Sequence, residues 1–179
     1  MQRYLVVIIP FLFACTTAPE GCGNGYTDIN GKCYNQGDLD VLQDFIDNSS
    51  ADDSTTTIKM KLDADSSGTI EPLELGLQKW GDNGRLFYLW VYDGSLSGKL
   101  PDNIGDLKKL DTLNLAYNQL DGEIPESIGS LTNLNWLYLN LNKLRGTIPD
   151  TICHIHPNLS HFWIEYNQFC PPYPACIPE

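Results

Sequence analysis

The stretch LDTLNLAYNQLDGEIPESIGSLTNLNWLYLNLNKLRGTIP, residues 110–149, decides the fold. Within it Leu110, Leu113, Leu115 and Leu120 recur 24 residues later as Leu134, Leu137, Leu139 and Leu144. Working outward, the same four places are filled upstream by Leu86, Leu89, Val91 and Leu96, and downstream, after a step of 25, by Leu159, Phe162, Ile164 and Phe169. Every one of these positions is apolar. Such self-similarity marks units that cannot bury their apolar side alone and do so by stacking on one another. Pro101, Pro125 and Pro149 fall at one place in successive units. Proline there removes a backbone donor and clashes with the preceding turn, so the leucines cannot belong to long amphipathic helices.

Ninth in the unit stand Asn118, Asn142 and Asn167, where an amide can bond backbone groups that a bend leaves unpaired. The first unit carries Gly94 there, so the asparagine ladder starts one unit late. The unit tails read Ser97-Gly98-Lys99-Leu100-Pro101, Asp121-Gly122-Glu123-Ile124-Pro125 and Arg145-Gly146-Thr147-Ile148-Pro149, and the first two continue into Ile104-Gly105-Asp106-Leu107 and Ile128-Gly129-Ser130-Leu131. This pattern, LxGxIPxxIGxLxxL, resembles the plant-type subclass of leucine-rich repeats over about residues 80–177. The resemblance implies an α/β-type solenoid: a short right-handed leucine-rich repeat coil with a parallel concave sheet, a helical N-terminal cap and a disulfide-bearing C-terminal cap. Glycine permits the tight bend and proline ends any further helix, so a short helical or irregular return segment is expected on the convex side.

Four repeats are expected over 84–169, an N-terminal cap over 19–83 and a C-terminal cap over 170–179. Asp38 to Ile46 has apolar residues at helical spacing and acids in its first turn, the pattern of a helix that covers the first apolar layer. Trp80-Gly81-Asp82-Asn83-Gly84-Arg85-Leu86 resembles the stretch that leads from cap to first repeat in plant receptor kinase ectodomains and polygalacturonase inhibitors. The order of elements is also similar to predicted bacterial secreted or lipoprotein repeat proteins.

Along a strand, side chains alternate, so the residues between the leucines face the concave side. Tyr88, Trp90, Tyr117, Trp136, Tyr138, Trp163 and Tyr166 occupy those places. A solvated face without a task carries Lys, Glu, Ser and Thr, whereas rings with hydrogen-bonding tips are what interfaces use. Lateral packing of rings between strands is the competing structural use. Four strands at about 4.8 Å make a face about 15 Å across, enough for a peptide, a protruding protein loop or a few units of carbohydrate.

Residues 63–74 match a twelve-residue EF-hand loop at most ligand places. Asp63, Asp65 and Ser67 would offer side chains, Thr69 its carbonyl, Glu71 a water-mediated contact and Glu74 a bidentate carboxylate, with calcium as a structural cofactor. The β-branched run Thr55-Thr56-Thr57-Ile58 stands where an entering helix belongs, and Pro72 interrupts the loop. An acidic turn is the plain alternative. His154, His156 and His161 near Cys153 lack the spacing of a zinc site or a Cys-His catalytic pair. No catalytic constellation stands out, and binding rather than catalysis is expected.

Eleven Lys and Arg against 23 Asp and Glu give a net charge of −12, which repels nucleic acid and anionic membrane. A basic start and the apolar run Tyr4–Phe13 read as a signal peptide over 1–18. Two processing routes fit: cleavage after Ala18, or a lipobox ending at Cys15, whose acylation would anchor the chain to a membrane. Either exports it, secreted or lipid-anchored at the cell envelope. The six cysteines sit at the two ends, as expected of covalent caps in an oxidising compartment. Cys22 with Cys33 and Cys170 with Cys176 are the expected pairs, with Cys153–Cys176 open as an alternative. The expected function is an extracytoplasmic, monomeric binding module for a peptide, protein loop or glycan. An inhibitor of a secreted polysaccharide-degrading enzyme and a calcium-stiffened cell-surface structural protein are the alternatives.

Overall fold

The computed structural model describes residues 21–50 and 70–177. The signal segment 1–18, Cys15 and the loop residues Asp63, Asp65, Ser67 and Thr69 lie outside the described residues. Among the described residues no helix is long and apolar enough to cross a membrane.

The chain opens with an antiparallel hairpin, β1 (Tyr26–Ile29) and β2 (Lys32–Asn35), closed by the Cys22–Cys33 disulfide. Helix α1 (Gln36–Ser50) follows. It extends the expected helix at both ends, and Asn35 accepts the Asp38 N–H at 3.2 Å, an oxygen at the helix start satisfying one of its free donors. Leu39, Val41, Leu42, Phe45 and Ile46 are buried. The last four join one continuous core with the repeat leucines.

Strands β3 (Leu77–Trp80), β4 (Leu86–Trp90), β6 (Thr112–Asn114), β8 (Trp136–Tyr138) and β10 (His161–Trp163) form the principal sheet in the order β10-β8-β6-β4-β3. The last four in sequence are parallel and in strict repeat register: Tyr88, Thr112, Trp136 and His161 align, as do Trp90, Asn114, Tyr138 and Trp163. The sheet is one strand wider than expected, because β3, within the segment read as cap, adds antiparallel to β4 with Leu77 opposite Trp90 and Lys79 opposite Tyr88. Five strands at about 4.8 Å give a face about 19 Å across.

The tails after each strand are more regular than expected. β5 (Ser97–Lys99) pairs in parallel with β7 (Gln119–Asp121), and β9 (Arg145–Gly146) with β11 (Gln168–Phe169). Arg145 N–H also donates to the Gly122 carbonyl at 2.7 Å, linking the two pairs. Gly98, Gly122 and Gly146 hold positive φ within this second ladder. Short 3-10 turns at Ile104–Asp106, Glu126–Ser130 and Asp150–His154 return the chain. A Cβ on Gly129 would lie 2.6 Å from Thr151 Cβ, so the glycine of each Ile-Gly pair is there to let one return turn rest on the next.

Leu110, Leu113, Leu115, Leu120, Leu134, Leu137, Leu139 and Leu144 are fully buried. Each contributes about 1.5–3 kcal/mol by leaving water. The asparagine ladder runs as its spacing predicts. Asn118 donates to the carbonyls of Val91 and Leu115 at 2.6 and 2.9 Å while its Oδ1 accepts the Leu96 N–H at 3.0 Å. Asn142 repeats this toward Leu115, Leu139 and Leu120, and Asn167 toward Leu139, Ile164 and Leu144.

One expected pair is corrected. Cys176 bonds Cys153, not Cys170, with Cα atoms 5.6 Å apart. Cys153 lies in the 3-10 turn Asp150–His154, within reach of the returning tail. Cys170 is held just beyond β11 by its N–H to the Gly146 carbonyl at 2.9 Å and stays a free, exposed thiol.

Candidate functional site

The parallel register brings the expected aromatic residues into two rows across the concave sheet. One row reads Lys79, Tyr88, Thr112, Trp136, His161, and the other Leu77, Trp90, Asn114, Tyr138, Trp163. Tyr88 stacks parallel to Trp90 with centroids 6.0 Å apart. Trp90 meets Tyr138 at 6.2 Å across the small residues of β6. Tyr138 meets Trp163 edge to face at 5.2 Å, and Trp136 lies flat on His161 at 3.7 Å. Thr112 and Asn114 between them are buried.

Both uses of aromatic residues are therefore present at once. Tyr88, Trp136 and Tyr138 are half-buried and knit the sheet laterally. Trp90 and Trp163 are 36% and 49% exposed, with Leu77 at 58% beside them. Burial raises the Tyr138 phenol above its usual pKa, so its hydroxyl is a neutral hydrogen-bonding group at physiological pH. Lys79 Nζ sits 4.7 Å from the Tyr88 ring centroid, a cation–π contact on this same face.

A rim runs past the strand ends. Asp93, Tyr117, Leu141 and Tyr166, equivalent in the four coils, all hold φ between 50° and 58°. Glycine or asparagine is the inexpensive residue there, and a tyrosine costs about 1 kcal/mol of backbone strain. Tyr117 nevertheless pairs with Tyr92 at 4.9 Å, and Tyr166 stands 77% exposed. Asn140, on the same strand face as Trp136 and Tyr138, is 9% exposed, and its buried Oδ1 has no hydrogen-bond partner in the protein.

Sequence reasoning missed Leu77 and Lys79, because no repeat marks β3. It also missed what positions the site at its N-terminal side. Arg85 donates from Nε and Nη2 to both Asp38 carboxylate oxygens at 2.8 and 2.7 Å, and from Nη2 to the Asp106 carbonyl at 2.9 Å. The Leu86 N–H, first in β4, donates to Asp38 Oδ2 at 2.8 Å. Asp38 is fully buried. The hydrogen bonds that Arg85 donates to Asp38 raise its pKa against the opposing cost of burial. In sequence Asp38 read as one more first-turn acid; the signal for its partner was the Gly84-Arg85 step of the entry stretch.

Of the calcium-loop candidates only Glu71 and Glu74 are described, and the Glu71 N–H donates to Glu74 Oε2 at 3.0 Å. Among the described residues no group of three or more His, Cys, Asp or Glu side chains could hold a metal. Cys153 is consumed by its disulfide, His156 packs edge-on against Phe162, and His161 against Trp136.

With this geometry in place, a family model, Leucine Rich Repeat, matches residues 109–131 and 133–155, the two central units. The chain carries leucine-rich repeats in these units. No curated protein sequence matches it. Among solved structures, PEPR1–AtPEP1 is 25% identical with a TM-score of 0.62 over 78% of this chain and 19% of that one. The ectodomain of the receptor kinase SOBIR1 from Arabidopsis thaliana, 21% identical, aligns with a TM-score of 0.55 over 76% of this chain and 70% of that one. The Arabidopsis receptor kinase HAESA, solved with the peptide hormone IDA and the co-receptor SERK1, is 21% identical with a TM-score of 0.58 over 78% and 23%. SOBIR1 and HAESA share the fold with this chain, which spans about a fifth of the PEPR1 chain.

Proposed function

We propose that the protein is an exported binding module that holds an extended peptide or a protein loop on its concave face, and that it works by recognition rather than catalysis. The observation that carries this reading is the pair of exposed indoles, Trp90 and Trp163, held in place by the half-buried Tyr138 between them. Rigid rings supply contact area at little entropic cost, and an apolar surface of this kind is otherwise a liability in water. The likeness to PEPR1, solved with AtPEP1, supports a binding role.

Ring geometry favours peptide over sugar. A pyranose stacks on a flat aromatic face, but Tyr138 stands at 53° to Trp90 and 89° to Trp163, and one face of Trp136 is covered by His161. The rings are tilted against one another and do not make one continuous flat face. Two disulfides fit an oxidising compartment, which supports export, secreted or anchored through Cys15. Calcium at 63–74 stays a structural proposal.

The test is to pan a random peptide-display library on the immobilised protein, beside a glycan array. Peptides are expected to bind and to lose at least tenfold affinity with Trp90→Ala or Trp163→Ala, a loss of about 1.4 kcal/mol or more. Binding indifferent to both changes, or hits confined to glycans, overturns the reading.

A further inference from the structure

Resting on that reading, we infer that the ligand is a basic peptide, with two cationic side chains received by the rim at the strand ends. The rim combines tyrosine rings with acids: Tyr92 and Asp93 on the first coil, Tyr117 on the second, Glu165 and Tyr166 on the fourth. No lysine or arginine falls among the eight residues at these two positions, 92–93, 116–117, 140–141 and 165–166. The protein as a whole carries −12, so its field attracts cations.

Three observations of different kinds converge. The concave face already holds one ammonium over a ring, Lys79 on Tyr88, a contact of the same kind. Two rim tyrosines are kept in a backbone region that favours glycine or asparagine, a strain without evident return inside the protein for Tyr166, which is 77% exposed. Asn140 lies between the two acidic coils, and its buried Oδ1 lacks a partner inside the protein. Arginine fits such a rim, because its planar fork stacks on a ring while donating hydrogen bonds at its edge.

The spacing of the acids sets the spacing in the ligand. Asp93 belongs to the first coil and Glu165 to the fourth, three strand steps of about 4.8 Å, or about 14 Å. An extended peptide rises about 3.4 Å per residue, so two side chains on one face span that distance when they are four residues apart. The ligand therefore carries Arg or Lys at i and i+4 and lies across the strands, with its apolar side chains over Trp90, Tyr138 and Trp163.

The experiment titrates the intact protein, at physiological and at raised salt, with ten-residue peptides bearing Arg at i and i+4. Matched peptides carry citrulline at the same places, or Arg at i and i+1. The citrulline and i+1 peptides are expected to bind about tenfold more weakly, as for the loss of an ion pair and a cation–π contact together. Asp93→Asn with Glu165→Gln should weaken the Arg peptide about tenfold and leave the citrulline peptide unchanged. Asp102→Asn, an exposed acid at the start of the return segment, serves as control for undirected attraction. Equal binding of Arg and citrulline peptides overturns the inference, as does equal weakening by Asp102→Asn. If peptides without basic residues bind and depend on Trp90 and Trp163, the peptide-binding reading stands while the basic ligand falls. If Arg peptides bind with no dependence on Trp90 or Trp163, the concave-face reading falls with it.

Discussion

The two ends of the coil are closed by different physics. At the N-terminal end α1 covers the first coil, whose Leu86, Leu89 and Leu96 are fully buried, and a buried carboxylate binds Arg85 and the first strand N–H. At the C-terminal end Leu159, Phe162, Ile164 and Phe169 are only partly buried, under a short tail held by one disulfide. A groove of about 270 Å³ remains there, lined by residues that include Ile148, Ile164, Phe169, Tyr173 and Ile177. One end is closed by packing and a charge network, and the other by a covalent tether over an incompletely covered layer. Cooperative loss of structure is therefore expected from a lesion at the first end, and local fraying from a lesion at the second.

The largest effect should come from Asp38→Ala. It strands the Arg85 charge and the Leu86 N–H together, and breaking one partner of a buried pair costs about 3–5 kcal/mol. Chemical denaturation should show a lower midpoint for the whole molecule; a midpoint within error of the parent would break the comparison. Next, Cys153→Ser with Cys176→Ser frees a loop whose ends are 23 residues apart, worth about 3 kcal/mol by loop entropy. Hydrogen exchange should accelerate around 159–177 while β4 and β6 stay protected. Uniform acceleration would mean that both ends belong to one cooperative unit.

Smaller differences sharpen the gradient between the ends. Asn118→Ala leaves buried carbonyls and the Leu96 N–H without partners, at about 2–3 kcal/mol. The same change at Asn167, which is half-buried, should cost about 1 kcal/mol, since water can replace it. Thermal melts of the two variants would contradict the gradient if their order were reversed. Smallest of all, Tyr166→Gly should leave stability within about 0.5 kcal/mol, because relief of the positive φ offsets the added freedom of glycine in the unfolded chain. The same change should still weaken peptide binding.

The repeat was legible from the sequence because its apolar spacing, its prolines and its ninth-position asparagines each answer to one local rule. Asn118, Asn142 and Asn167 make the backbone contacts their period implies. The aromatic rows were legible for the same reason: strand alternation assigns Trp90 and Trp163 to one face. What lay hidden depends on contacts distant in sequence. Strand β3 obeys no period and pairs only because its edge meets β4. Asp38 and Arg85 are 47 residues apart. Cys170 was the expected partner for Cys176 and Cys153 the alternative, until the last return turn fixed which lay within reach. The rim at 93, 117, 141 and 166 was read as ordinary concave face, because left-handed backbone under Tyr and Leu gives no signal in composition.

Resolved indole N–H resonances of Trp80, Trp90, Trp136 and Trp163, followed during titration with a display-selected peptide, test the central claim most directly. Trp80 is an internal reference, because its indole donates to Gln78 Oε1 at 3.0 Å and its ring packs on Tyr34, away from the concave rows. Saturable shifts of Trp90 and Trp163, with Trp80 still, are the predicted result. Shifts confined to Trp80, or binding that moves none of the four, would contradict the account.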